Sequence, residues 1–247
     1  MPMSIVNNNT NRHERYSGIY HLSTAPWWLP SGISESSVIA AYQFKNAQSE
    51  NHSLMNLDNN STYALTKTGS DVVWSANGMF IAGGTHLIGM NAQNFPVFTS
   101  CAVRYSGVDI QNPNTVGLAS AYEGYKIFAR ASHYNGKNLA KIGVKKGGKQ
   151  TPLYLYDIVR SNAVLIVDMA SDQINVDGVE IGLESSPTFV NATYDTQNTI
   201  GQTYQSVQQS DRSGIVWGSV TIQAVVFYNI SLTMGNKIEL YNAMNNL

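Results

Sequence analysis

The stretch Ser219–Tyr228 limits this chain's folding options more than any other. Val220, Ile222, Ala224, Val226 and Tyr228 recur at the two-residue period of a strand, and Thr221, Gln223, Val225 and Phe227 alternate with them. A strand that is apolar on both faces must be covered on both. A second sheet over one face and a helix or loop over the other meets that demand. A two-layer β-sandwich follows, with Val220, Ile222, Ala224 and Val226 expected between the sheets.

Upstream, Ile174-Asn175-Val176 and Val179-Glu180-Ile181 flank Asp177-Gly178, a pair that readily supplies the positive φ angles of a tight hairpin. Downstream, Thr233 is placed to cap a short helix in which Met234, Ile238, Tyr241, Met244 and Leu247 recur at helical spacing. Between Val38 and Arg160, short β-type runs alternate with Asn, Gly and Ser turns. Ala163–Met169 is the most apolar run and reads as a central strand. Helical periodicity is absent before Thr233, and no fixed-period repeat is present.

The order hairpin, Ile-Gly, long strand, Tyr-Asn-x-x-Leu-Thr and terminal helix resembles the close of the concanavalin A-like (laminin-G-like, pentraxin-like) jelly-roll domains. Gly218, Ile222, Val225, Tyr228, Asn229, Leu232 and Thr233 carry that resemblance. Val38–Lys45, Leu54-Met55-Asn56-Leu57 and Trp74–Gly78 resemble the opening strands of the bacteriophage and prophage versions. The resemblance implies an all-β, concanavalin A-like jelly roll of two antiparallel sheets over residues 38–247, with a short C-terminal helix. Residues 1–37 form a polar tail and an extended docking arm.

Charged residues are only 13% of the 247, net charge is −1, and 25 residues are Asn, so solubility rests on amides and hydroxyls. The chain as a whole lacks the basic character of a nucleic-acid binder. Cys101, the single cysteine, alternates with Val97, Thr99, Val103 and Tyr105 and is expected to be a buried free thiol. No apolar run reaches the roughly 20 residues of a membrane span, and Met1–Arg15 lacks the apolar centre of a signal peptide. Synthesis in a cytoplasm, without membrane insertion, is the expectation.

Met1–Arg15 is polar and offers nothing to bury, so only a partner would order it. Tyr16–Ile33 is different, because it mixes aromatic and aliphatic residues with Pro26 and Pro30, which forbid a continuous helix. Such an arm either covers its own sandwich or docks on a neighbouring subunit. Docking through Tyr20, Trp27, Trp28 and Leu29 is the expectation carried forward.

Chemical sites are sparse. Laminarinase-like hydrolases of this fold carry a Glu-x-Asp-x-x-Glu run, because a retaining pair of carboxylates must sit about 5 Å apart. No such run occurs here. Asp177 is explained by its turn, and Glu180 and Asp172 read as solvated acids. Asp168, inside an apolar strand, reads as a hydrogen-bonded strand-end carboxylate; the alternative is a Ca²⁺ ligand, as in some laminin-G-like relatives. The five histidines show no zinc spacing, and no Gly-x-Ser-x-Gly elbow or phosphate-binding glycine loop is present. No cofactor and no enzymatic activity are expected.

Lys137, Lys141, Lys145, Lys146 and Lys149 form the one charge cluster and read as a solvated hairpin tip. The alternative is a surface for an anionic polysaccharide or an acidic neighbour. Tyr122, Tyr125 and Tyr134, with Asn135 nearby, are the candidate sugar-binding residues, since a sugar's C–H face stacks on a ring while its hydroxyls need amides. The resemblance and the arm together imply a phage virion subunit of tail, fibre or capsid decoration. It would be homo-oligomeric, assembled with other virion subunits and able to bind host surface polysaccharide. A stand-alone lectin-like module is the alternative, and a glycoside hydrolase stands behind both.

Overall fold

The computed structural model describes residues 26–59, 61–68, 71–83, 89–110, 115–121, 125–134, 137–146, 150–156, 160–182, 188–191, 198–201 and 218–247. They form two antiparallel sheets, each of eight strands. The first contains β1 (Val38–Gln43), β3 (Val72–Ser75), β4 (Gly78–Ile81), β6 (Ser100–Ser106), β11 (Ala163–Asp168), β12 (Ile174–Val176), β13 (Val179–Ile181) and β16 (Val220–Tyr228). The second contains β2 (Leu65–Thr68), β5 (Gly89–Ala92), β7 (Thr115–Ala121), β8 (Tyr125–Tyr134), β9 (Lys137–Lys146), β10 (Gln150–Tyr156), β14 (Thr188–Asn191) and β15 (Asn198–Gly201). This is the jelly-roll-like β-sandwich that the strand pattern demands.

In the first sheet the order is β13-β12-β11-β6-β16-β4-β3, and in the second β14-β10-β9-β8-β7-β15-β5-β2. The long strand β16 organises its sheet. One of its edges pairs with β6, while the other pairs with β4 over Val220–Ile222 and with β1 over Ala224–Tyr228. Gly78 makes the handover from β4 to β1 feasible: its φ is +131°, and a Cβ there would lie 2.6 Å from the carbonyl oxygen of Ile222.

The pairing of β16 with β6 shifts register between Ile222 and Ala224. This bulge corrects the simple two-residue alternation. Val220 and Ile222 face the inter-sheet core, but beyond the bulge Val225 and Phe227 take over that face. Ala224, Val226 and Tyr228 instead join a separate cluster on the sheet's other side. The backbone carbonyl of the intervening residue, Gln223, accepts two N–H bonds, from Phe44 at 2.9 Å and Lys45 at 3.0 Å. The bulge is therefore satisfied rather than left open.

The inter-sheet core is closed by aromatic contacts, with Phe227 packing on Phe95 and Phe98 at ring-centroid distances of 4.9 and 5.1 Å. Cys101 lies in this core, fully buried and free, and burial pushes its thiol pKa well up. Helix α1 (Glu50–Ser53), one turn that sequence periodicity does not reveal, leads into a buried Asn56. Its side-chain oxygen accepts from Ala41 N at 3.0 Å, pinning this segment to β1.

The other face of the first sheet is covered by the Pro26–Ile33 segment and by α2 (Met234–Asn245). Thr233 caps α2 as expected, in a capping box completed by Asn236. The predicted face holds in part: Met244 is buried, with Tyr241 and Leu247 packed against the same layer, but Lys237 and Leu240 are buried as well, whereas Met234 and Ile238 are exposed. Lys237 is tolerated there because its ammonium meets Glu180 Oε1 at 3.0 Å while its stem stays in the apolar layer. At the helix C-terminus, Arg104 donates to the carbonyls of Met244 and Leu247, adding a cation to the end where helix carbonyls run short of partners; Met244 also accepts from Leu247 N at 3.3 Å.

Trp28 is buried to 4% exposure in this outer cluster, and the Tyr228 hydroxyl donates to its carbonyl oxygen at 2.7 Å. Trp27, half-buried, donates from Nε1 to Gln43 Oε1 at 3.0 Å. Leu29 is half-buried against the same cluster. Trp27, Trp28 and Leu29 thus pack against their own sandwich. Tyr20 lies outside the described residues.

Candidate functional site

The acids singled out in the sequence are held by structural partners. At the β12–β13 hairpin, Asp177 and Gly178 have φ of +51° and +84°, as the Asp-Gly turn requires. The Asp177 carboxylate also accepts from Val164 N at 2.8 Å and from Arg160 Nη1 at 2.6 Å, so it serves more than the turn. Glu180 is the counter-charge of Lys237 rather than a solvated acid. Asp168, 5% exposed at the end of β11, accepts from Ala170 N at 2.9 Å and from Ser231 Oγ at 3.2 Å.

That environment makes Asp168 the strand-end carboxylate of the first reading. A Ca²⁺ site would need six to eight oxygen ligands. Among the described residues, no three His, Cys, Asp or Glu side chains come together as metal ligands.

The second sheet differs from the first in what its two faces carry. Ile127 on β8 and Ile142 and Val144 on β9 are buried in the inter-sheet core, which identifies the inner face of this strand pair. The β8–β9 register runs unbroken from Tyr125↔Lys146 to Tyr134↔Lys137. Since neighbours directly opposite share a face and alternate residues change face, Lys126, Arg130, Lys137, Lys141 and Lys145 all occupy outer-face positions. Lys126 stands directly opposite Lys145, and Arg130 directly opposite Lys141.

This corrects the hairpin-tip reading of the lysine cluster. Lys137–Lys146 is a ten-residue strand in the interior of a sheet, between β8 and β10, and only Lys146 falls on inner-face parity. Lys149 lies outside the described residues. The sequence reading missed Lys126 and Arg130, although a signal was present: both sets recur at four-residue spacing, an even number that keeps them on one face of a strand.

The candidate sugar-binding tyrosines do not gather into one site. Tyr125 and Tyr134 sit at the two ends of β8, which at about 3.3 Å per residue puts them roughly 30 Å apart, on opposite faces. One sugar ring cannot meet both. Tyr122 and Asn135 lie outside the described residues.

No family model matches this sequence. No curated protein matches it either. Solved structures do. One is of botulinum neurotoxin type C, described as dependent on interaction with two ganglioside molecules to enter cells: the TM-score is 0.55 at 11% identity, over 85% of this chain and 52% of that one. Another is the binding domain of botulinum neurotoxin DC in complex with rat synaptotagmin II, with a TM-score of 0.52 at 10% identity over 85% and 52%. A third is the Trypanosoma rangeli sialidase with 2,3-difluorosialic acid as a covalent intermediate, with a TM-score of 0.55 at 11% identity over 96% and 38%. The chain spans about half the length of the toxin chains and well under half of the sialidase. At such identities the likeness is one of fold, a jelly-roll β-sandwich of two antiparallel sheets.

Proposed function

We propose that this chain is a non-catalytic, lectin-like carbohydrate-binding protein, acting as a structural subunit of a bacteriophage particle that contacts polysaccharide on the host surface. The observation that carries the binding half is the asymmetry of the sandwich. The described elements that cover an outer face, the Pro26–Ile33 segment and α2, both lie on the first sheet, whereas outer-face positions of the β8–β9 pair in the second sheet carry Lys126, Arg130, Lys137, Lys141 and Lys145 alongside Phe128 and Leu139. Fold analogy supports it, because structures of the same architecture are described with gangliosides and with a sialic acid derivative.

The absence of catalysis is supported by the acids themselves. Asp168, Asp177 and Glu180 are each engaged by an N–H, a hydroxyl or a cation of the fold itself, which gives each a structural role. The virion assignment, with assembly among like subunits after synthesis in the host cytoplasm, rests on the resemblance of the opening strands to phage versions of the jelly roll and on the arm. One observation favours a second reading, a stand-alone lectin-like module: Trp28 is covered by its own sheet and needs no neighbour to bury it.

A glycan array combined with native mass measurement separates these readings. Glycan retention by a stable homo-oligomer supports the virion subunit, and retention by a monomer supports the module. An oligomer that retains no glycan would leave only the structural role, and release of reducing sugar from bound polysaccharide would overturn the non-catalytic assignment.

A further inference from the structure

The outer face of the first sheet is not covered along its whole length. Ala224, Val226 and Tyr228 of β16 are buried beneath the Pro26–Ile33 segment and α2, but toward the start of that strand the burial stops. Phe80, on β4, is 42% exposed, and Val73, on β3, is 54% exposed. Phe44, Phe95, Phe98 and Phe227 are all buried, so this ring stands apart from them. Register shows what lies beside it: Val73 is directly opposite Phe80, Phe80 directly opposite Thr221, and Thr221 directly opposite Ser106. Their strand neighbours Trp74, Met79, Ile222 and Tyr105 pack in the inter-sheet core, which puts all four on the outer face. The result is one row across β3, β4, β16 and β6, about 14 Å long at about 4.8 Å per strand. It starts aliphatic, passes through an aromatic ring and ends in two hydroxyls. Thr221 and Ser106 are half-buried, and neither hydroxyl has a hydrogen-bond partner among the described residues.

Resting on the carbohydrate-binding reading above, we propose that this row is a shelf for a short uncharged oligosaccharide, with Phe80 stacked on the C–H face of one sugar and Thr221 and Ser106 bonded to the hydroxyls of the next. The composition selects the ligand. Binding sites pair apolar and aromatic surface with a few placed polar groups, and a sugar chain presents that same alternation of C–H faces and hydroxyls. The row itself holds no Lys, Arg, Asp or Glu. Arg104, two residues along β6 from Ser106, is already engaged by the carbonyls of Met244 and Leu247. Asp71, exposed and two residues from Val73, would repel a polyanion. A protein partner fits less well, because two exposed apolar side chains are a small part of the about 800 Å² per partner that a stable interface buries.

The test uses the full chain and calorimetry with maltotetraose, cellotetraose and tetra-N-acetylchitotetraose, and with tetragalacturonate as the acidic counterpart. At least one neutral tetrasaccharide should bind, and Phe80→Thr, which keeps a strand-forming residue, should weaken it about tenfold. Phe80→Tyr should retain binding, since it keeps the stacking ring, and Thr221→Val should weaken it several-fold while the melting temperature stays native. Should Phe80→Thr fail to fold, Thr221→Val decides, and unchanged affinity in that variant would overturn the proposal. Neutral-glycan binding that both variants leave intact, or binding of tetragalacturonate alone, would sink the shelf while sparing the carbohydrate reading. A lower oligomeric state of Phe80→Thr in native mass measurement, with glycan affinity unchanged, would reassign the row to a contact between copies of the chain. Failure of all four sugars would overturn the shelf, and failure on a glycan array as well would sink the carbohydrate reading with it.

Discussion

The phenol of Tyr228 donates a 2.7 Å hydrogen bond to the carbonyl oxygen of Trp28, joining the last residue of β16 to a segment 200 positions earlier. Both partners are buried, so the bond closes the outer layer of the first sheet where two apolar surfaces meet. Burial also raises the Tyr228 pKa well above the usual phenol range, which keeps the hydroxyl protonated as a donor.

Tyr228→Phe should therefore cost about 1–3 kcal/mol, since it leaves a buried carbonyl with one partner fewer. Trp28→Ala should cost more, about 3–5 kcal/mol, because it opens a cavity under the arm. Urea unfolding checks both. Trp28→Ala with unchanged stability and a lower oligomeric state would show instead that the arm docks on a neighbouring subunit.

Val226→Asp should prevent folding. The side chain is buried beneath the arm and helix layer, and an unpaired buried charge costs several kcal/mol against a total stability of about 5–15 kcal/mol. Soluble expression with a cooperative native melt would contradict the burial of that face.

At the bulge, side chain and backbone should separate cleanly. Gln223→Ala removes only the weak 3.3 Å contact of Nε2 with the Asn77 carbonyl and should cost under about 1 kcal/mol. Deleting Gln223 leaves Val220, Ile222, Val225 and Phe227 on one face in unchanged register with β6, but it removes the carbonyl that accepts from Phe44 N and Lys45 N, and should cost about 1–3 kcal/mol. Circular dichroism of the two variants decides the point.

The Lys237–Glu180 pair should respond asymmetrically. Lys237→Met keeps the apolar stem and removes the charge, so it should be near neutral, whereas Glu180→Ala leaves a buried ammonium without its partner and should cost about 1–3 kcal/mol. Equal effects in thermal melts would show that the pair behaves as an exposed one.

Cys101 should be inert in the native state. Full burial excludes reagents, and a thiol whose folded pKa lies above its unfolded value stays protonated through neutral and mildly alkaline pH. Because folding favours the protonated form, that contribution is complete below the unfolded thiol pKa and is lost only as pH rises through the higher folded value. Iodoacetamide at about pH 8 should label the guanidinium-unfolded chain and leave the native one untouched.

Much was determined locally. The Asp177-Gly178 turn follows from backbone sterics at two residues, the Thr233 cap from one side chain reaching its own helix, and the strands from the two-residue period. The buried state of Cys101 and the strand-end role of Asp168 follow from apolar neighbours along a single strand.

What the tertiary structure decided depends on register between segments distant in sequence. Periodicity places Val220 and Val226 on one face, and only pairing with β6 and β1 inserts the bulge that parts them. Helical spacing picks out Met234 and Ile238 together with Met244, but Leu240 packs inward beside Met244, and Lys237 joins them because Glu180, on a strand 57 residues earlier, accepts its charge. The lysines of β9 acquire meaning only once Lys126 and Arg130 are set opposite two of them. The arm's prolines and tryptophans require burial but carry no address, and the acceptor on Trp28 that receives the Tyr228 hydroxyl exists only once the chain has folded back on itself. Local sequence controls backbone angles and the period of burial; which faces meet is a long-range choice made by packing and hydrogen-bond satisfaction together.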